Sequence, residues 1–297
     1  MCYTTFVIHL VNKKEGETPL AALERLCRDH GIYEKVTYAG RLDPMASGLL
    51  LVLSGDDVHK KDSMLEHTKT YDFTILLGVA TDTGDILGKV TETVKADSEF
   101  LWSGRTIFAE GEKGREEIRG PKNSLSAGTK KDHSDLLSAS ATEQQKKYKK
   151  VIESFKKTYN QPYPLYSSKT VDGKPLWTYA REGIKPDVVP THSVTISRCV
   201  LNSVESITDT ELLQQIHARI EPVVGDFRQD EILKLWNESI TAGTFVLLNC
   251  TADVSSGTYI RQMAADIGIK LGVPALAYNI HRTKVGNYSL KDALPEI

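Results

Sequence analysis

The chain predicts an α+β fold, with a mixed and largely antiparallel central sheet flanked by helices and loops. Three observations carry that expectation. Segments of period two, such as Lys69 to Leu77, stand beside segments of helical period, such as Pro19 to Cys27. Strands and helices follow one another without strict βαβ alternation. The 297 residues, 40% hydrophobic and 26% charged, describe an ordinary globular chain able to bury one large core or two smaller ones.

The N-terminal run through Phe6-Val7-Ile8-His9-Leu10-Val11 reads as a first strand, since it lacks a basic leader and a small-residue cleavage site. Thr18 is a good N-cap and Pro19 suits the first helical position. Leu20, Leu23, Leu26 and Cys27 follow helical spacing, and Gly31 is the expected C-cap. Leu49 to Leu53 form a purely apolar strand. A second strand spans Lys69 to Leu77, where Tyr71, Phe73, Ile75 and Leu77 alternate with smaller or polar residues. Residues 103–142 lose periodicity and fill with Gly, Ser, Lys and Glu, the pattern of a long surface insertion. A helix is expected from about Thr142 to Thr158, a strand near Ser193 to Leu201, and helices around Asp209 to Ile220 and Gln229 to Ser239. The strand Thr244 to Val254 then runs through Ser255-Ser256-Gly257-Thr258 into a helix that carries Arg261 and ends near Gly272.

Composition excludes several classes. No apolar run approaches the roughly 20 residues that span a bilayer. Cys2, Cys27, Cys199 and Cys250 are scattered, with no Cys-x-x-Cys pair, so free thiols in a reducing cytoplasm are the simplest account. No His, Cys and carboxylate cluster shows ligand spacing, and no metal is expected. The net charge of −2 does not advertise a nucleic-acid partner, but residues 113–157 hold twelve Lys or Arg against six Asp or Glu. Such a stretch can follow phosphates or form a solvated face.

The most informative segment is Tyr38-Ala39-Gly40-Arg41-Leu42-Asp43-Pro44-Met45-Ala46-Ser47-Gly48. Pro44 biases Asp43 away from the helical region, and Gly40 and Gly48 permit backbone poses that a side chain would block. One carboxylate is thereby fixed at the mouth of an apolar strand. Taken alone, Asp-Pro before small residues is also an ordinary turn.

The segment Gly-x-Leu-Asp-Pro-x-Ala-x-Gly resembles the catalytic loop of the TruB family of pseudouridine synthases, which modify the T loop of transfer RNA. Four further segments are similar to family motifs in the right order. They are Lys69-Thr70-Tyr71 with Gly78 to Asp85, Tyr166 to Gly183, Ser256 to Arg261, and Ile280-His281-Arg282-Thr283. The resemblance implies the pseudouridine synthase fold over residues 1–297 as one catalytic domain. It marks insertions near 103–142 and 203–243, and no separate C-terminal RNA-binding domain, since nine residues follow Tyr288. It implies isomerisation of uridine to pseudouridine at position 55 of transfer RNA, with the target base flipped out of its stack. Asp43 would be the catalytic carboxylate, Arg261 its ion pair, and Tyr71 a stacking surface with a part in proton movement. Tyr166, Ile280 and Lys69 would contact substrate, Ile280 packing on the base, while Arg282 and Lys284 would meet phosphates. No metal or cofactor is required, and a cytoplasmic monomer binding the T arm is expected.

The sequence also departs from the family pattern. Tyr38 stands where a histidine is usual, Lys14 and Pro19 replace a proline and a serine, Tyr163 replaces one of two prolines, and Thr170 stands where lysine is common. Arg41 and Ser47 give the Asp43 loop some likeness to ribosomal-RNA-modifying relatives. Two other expectations therefore stand beside the first: a synthase acting on ribosomal RNA or another stem-loop, and a transfer-RNA folding factor with dispensable catalysis.

Overall fold

The computed structural model describes residues 7–94, 133–184 and 186–295. Among the described residues a nine-stranded sheet forms the frame. β1 (Val7–Lys13), β3 (Ala46–Ser54), β12 (Ala275–Val285), β4 (Lys69–Leu77), β11 (Thr244–Val254), β10 (Thr191–Thr208) and β7 (Thr158–Pro162) lie side by side in that order. β2 (Val36–Ala39) pairs with β3, and β13 (Tyr288–Ser289) with β12. Two small hairpins stand apart, β5 (Val79–Thr81) with β6 (Val90–Thr93) and β8 (Thr170–Val171) with β9 (Lys174–Pro175). The named strands pair antiparallel except β3 with β12, which run parallel where Ile280, His281 and Arg282 face Ala46, Ser47 and Gly48. The expected α+β class with a mixed, largely antiparallel sheet is what the chain adopts.

Burial explains the strand sequences. β3 is apolar from Leu49 to Leu53 because both of its faces are covered. Leu50 and Val52 pack with Val11, Ala22, Leu23 and Leu26, while Leu49, Leu51 and Leu53 pack with Ala39 and Val285. In β4 the alternating Tyr71, Phe73, Ile75 and Leu77 enter the main core, as the period-two pattern predicts. The first helix spans Pro19–His30. The Thr18 hydroxyl accepts from the Ala21 amide, and Gly31 closes the helix in the left-handed conformation at φ 61°. Leu20, counted in its apolar stripe, faces solvent instead. The buried face is Ala22, Leu23 and Leu26.

Several boundaries differ from expectation. The helix expected over 142–158 spans His133–Glu153, so it begins inside the segment read as an insertion and ends five residues early. The chain breaks at Ser154 and Phe155 because Thr158–Pro162 is needed as β7 against β10, and strand pairing overrides the helical preference of Lys156 and Lys157. The rest of that insertion, 103–132, lies outside the described residues. β10 runs to Thr208 rather than Leu201, because β11 offers it a partner all the way to Thr244. The helices Asp209–Ile220 and Gln229–Ser239 fall where the sequence places them. They are no loose appendage. Leu212, Ile216, Ile220, Ile232 and Trp236 are fully buried in the main core, and Trp236 Nε1 donates to the Ile86 carbonyl. Among the described residues, no helix is long and apolar enough to cross a membrane.

Candidate active site

The Asp43 loop links β2 to β3 and is gripped from two sides through carbonyls of the loop, of β3 and of Lys14. From β1, the Lys13 ammonium donates to Lys14 O at 2.9 Å, Pro44 O at 3.1 Å and Ala46 O at 2.5 Å. From β12, the Arg282 guanidinium donates to Leu49 O at 2.7 Å, Gly40 O at 3.0 Å and Arg41 O at 3.3 Å. Both cations are almost wholly buried. Leu42 and Met45 anchor the loop into the core beside Asp43. Gly48 sits at φ +101°, where a Cβ would lie 2.3 Å from the Arg282 carbonyl, so the parallel approach of β12 demands glycine there.

Arg261 comes from the opposite side. It is the second residue of the helix Ile260–Leu271, reached after β11 through the turn at Ser255 to Thr258. Gln161 of β7 fixes the start of that helix. Its fully buried amide accepts from Tyr259 N at 2.9 Å and donates to Tyr259 O at 3.1 Å. The Arg261 fork then meets Asp43 with two bonds, Nε to Oδ2 at 2.7 Å and Nη2 to Oδ1 at 3.3 Å. Its remaining donors go to Thr83 O at 2.5 Å and Tyr166 O at 3.2 Å. A second carboxylate, Asp85, lies 3.8 Å from Nε. The side chain of Arg261 is 4% exposed and that of Asp43 39%, so the cation stands behind an acid that a ligand can reach.

Electrostatics follow from this arrangement. Burial pulls the Arg261 pKa down, but Asp43 and then Asp85 more than offset it, and the guanidinium stays charged. Burial pushes the Asp85 carboxyl above its ordinary range. Arg261 pulls it back, Asp43 pushes it up again, and bonds from Thr83 and the Leu87 amide favour the ionised form. Tyr259 is also raised, first by burial and then by Asp43.

The structure brings Asp43 and Arg261, the pair the sequence suggests, into contact, and adds the Tyr166 carbonyl, a residue the sequence reading gives to the substrate. Tyr71 is 7% exposed and faces Arg282 across β4 and β12, on the side of the sheet whose arginine holds the Asp43 loop. Ile280 is buried in the same core, opposite Ala46 and Phe73. Lys284 is exposed. Two expectations are corrected. Arg282, expected to meet phosphates, is 1% exposed and spends its donors on loop carbonyls. Lys69, expected to contact substrate, is buried, with its ammonium donating to Leu65 O and His67 O. In both cases a cation that reads as surface charge satisfies backbone acceptors inside the fold. Sequence reasoning missed Lys13, Asp85 and Gln161 in these roles; of the three, only Asp85 lay in a segment similar to a family motif.

A cleft of about 440 Å³ opens beside Arg261, lined by Asp82, Thr83, Tyr163, Leu165, Pro186 and Gln262 among others. Among the described residues no group of three or more His, Cys, Asp or Glu is placed to hold a metal ion.

The Lys13 contacts predict a measurable cost. Lys13→Met keeps the bulk but withdraws a donor from three carbonyls. Pro44 O keeps Gly16 N and Lys14 O keeps Glu17 N, so the cost falls mainly on the buried Ala46 O, at about 1–3 kcal/mol. Urea unfolding should show a loss of about 1–3 kcal/mol. Burial lowers the Lys13 pKa from 10.5 to about 8, so between those values the unfolded chain holds a proton that the folded chain has released. Stability owed to this group therefore rises with pH across that window. Lys69, lowered to about 8 for the same reason, adds a similar rise. The stability gap between wild type and Lys13→Met should widen from pH 8 to pH 10.5.

A model of the TruB family pseudouridylate synthase N-terminal domain matches residues 28–104 and 123–221, more than half of the chain. The tRNA pseudouridine synthase B of Bifidobacterium longum subsp. infantis is 27% identical over 285 residues, 95% of this chain and 64% of its own length. That of Desulfotalea psychrophila is 28% identical over 291 residues, covering 98% of this chain and 86% of its own. That of Staphylococcus aureus strain Newman is 27% identical over 262 residues, 88% of this chain and 60% of its own. The chain thus spans somewhat under two thirds of the length of the first of these relatives, 64%. Among solved structures, the archaeal box H/ACA sRNP Nop10-Cbf5 complex aligns with 95% of this chain and 48% of its own at a TM-score of 0.45 and 14% identity.

Proposed function

The chain belongs to the TruB family of pseudouridylate synthases, and from that premise we propose that it isomerises uridine to pseudouridine in the T loop of transfer RNA, at position 55. One observation carries the reading beyond family membership. A reachable carboxylate, Asp43, is held by a buried two-bonded guanidinium, Arg261, on a loop that Lys13 and Arg282 lock from both sides.

The reaction breaks the bond from N1 of uracil to C1′ of the ribose and forms one from C5 to C1′. The proton on C5 is lost and N1 gains one, so atoms balance with no cofactor. Asp43 acts at the sugar, as nucleophile or as base. Arg261 fixes the pose of the acid through its two bonds and balances its charge. Tyr71, on the sheet face shared with Arg282, is the stacking surface for the detached ring and a candidate for the proton at C5. Ile280 packs beneath the base, the Tyr166 segment borders the ribose, and Lys284 meets a phosphate from its exposed position. The target uridine leaves its stack to reach Asp43, and a splayed, compact RNA loop is a suitable partner for a site of this depth. Residues 1–297 act as one catalytic domain and as a cytoplasmic monomer.

The test is tritium release from a T-arm hairpin carrying uridine labelled at C5. Rapid release, together with mapping of pseudouridine to position 55, is expected. Release only from ribosomal RNA fragments would move the target, and binding to the hairpin without release would favour a folding role.

A further inference from the structure

Arg228 lies outside the residues that the family model matches. Among the described residues it and Asp172 are the two non-glycine positions with positive φ, and Arg228 stands at 66° at the start of the helix Gln229–Ser239. A long side chain pays for that left-handed conformation, and such strain persists where the surroundings over-determine it. Here they do. The Gln229 side chain accepts from Phe227 N at 2.9 Å and donates to Val223 O at 2.9 Å and Gly225 O at 2.6 Å, while Arg228 O accepts from Ile232 N at 3.0 Å.

The strained pose delivers the side chain to the site. The Arg228 guanidinium lies 4.9 Å over the Tyr166 ring, and its Nη1 donates to Asp82 Oδ2 at 3.0 Å. Both partners lead to Arg261. The Tyr166 carbonyl accepts from Arg261 Nη2. Asp82 accepts from Lys89 N through its other oxygen, closing the turn whose Thr83 carbonyl accepts from Arg261 Nη1.

We propose that Arg228 is a positioning residue of this active site. By clamping Tyr166 to the Asp82 turn, it keeps both carbonyls where they hold the Arg261 fork against Asp43. The inference rests on the reading under Proposed function and extends it, giving a segment beyond the family match a duty in the reaction.

Arg228→Gly and Arg228→Ala test it together. Both remove the clamp, but glycine accepts the left-handed backbone and alanine does not. The glycine variant should melt roughly 2–4 °C above the alanine variant. Both should lose kcat alike, by roughly 10- to 100-fold, with RNA affinity unchanged. Arg228→Lys should restore only part of the loss, since an ammonium pairs with Asp82 but does not cover the Tyr166 ring as a plane. Glu231→Gln, which breaks the Lys89 pair on the same helix, should retain wild-type turnover. Activity that tracks melting temperature, wild-type kcat in both variants, or a loss of affinity with kcat intact would each overturn the proposal. Should wild type itself be silent on the hairpin, the proposed substrate falls, and a crystal structure of Arg228→Gly decides the positioning claim alone. Loss of the Tyr166 O to Arg261 bond would uphold it, and an unchanged contact near 3.2 Å would sink it.

Discussion

Asp43→Asn is expected to lower pseudouridine formation by at least about 10⁴-fold while leaving RNA affinity within a few-fold of wild type, since removing the acting group of a concerted set costs nearly the whole catalytic effect. The substitution preserves shape. An amide has one oxygen that can accept from Arg261 instead of two, and no charge to offer the sugar. Because Asp43 is partly exposed, the folded state loses little packing. Removing a negative charge from a site that receives a polyanion also gives no reason for weaker binding. Filter binding and single-turnover tritium release on the same preparation separate the two quantities. Tritium release at more than a tenth of the wild-type rate would take the acting role away from Asp43. If this variant nevertheless rescued a cell lacking the protein, the folding role would be the one that matters.

How much of this was legible beforehand depends on which physics wrote each part. Local rules wrote the helix Pro19–His30. Thr18, Pro19 and Gly31 act within one turn of the chain, so cap and stop could be read directly. The alternation in Lys69–Leu77 is equally local, and that strand has the bounds expected of it. Asp43 and Arg261 were legible because a loop of unusual residue types and a family pattern pointed at the same pair.

The failures share a cause. No strand is expected at Ala275–Val285, where His281, Arg282 and Lys284 interrupt the apolar residues, yet the neighbours on both sides supply the pairing. Arg282, Lys69 and Lys13 were read as outward charge or passed over. Arg282 and Lys13 are buried against carbonyls up to 242 residues away, as between Arg282 and Gly40, whereas Lys69 meets Leu65 O and His67 O within four residues of itself. Asp85 ends a family-like segment that assigns it no role, and Arg228 carries no sequence signal of its own. Cations that satisfy backbone acceptors inside a fold are invisible to periodicity, because periodicity records only which side chains prefer water.

Arg261→Leu should cost stability as well as chemistry, and the pH dependence of that loss identifies the group responsible. With the guanidinium gone, Asp85 is a buried carboxylate with no cation, and stripping one partner from a buried ion pair costs about 3–5 kcal/mol. Its folded pKa already lies above the ordinary 3.8 because of burial, and losing Arg261, the strongest influence pulling it back, moves it higher. The folded variant then keeps a proton that the unfolded chain has released, so its stability falls as pH rises from 3.8 through the shifted value. The variant should therefore approach wild-type stability in acid and show its full deficit at neutral pH. Asp85→Asn in the same background should remove most of that deficit without restoring turnover, because Asp43 still lacks its partner. Arg261→Lys keeps the charge but not the two-bonded fork, so it should recover much of the stability and little of the rate. Guanidinium chloride melts across pH for the four proteins would read the result. A deficit independent of pH, or one that Asp85→Asn fails to relieve, would show that Arg261 holds the fold through the Thr83 and Tyr166 carbonyls rather than through charge.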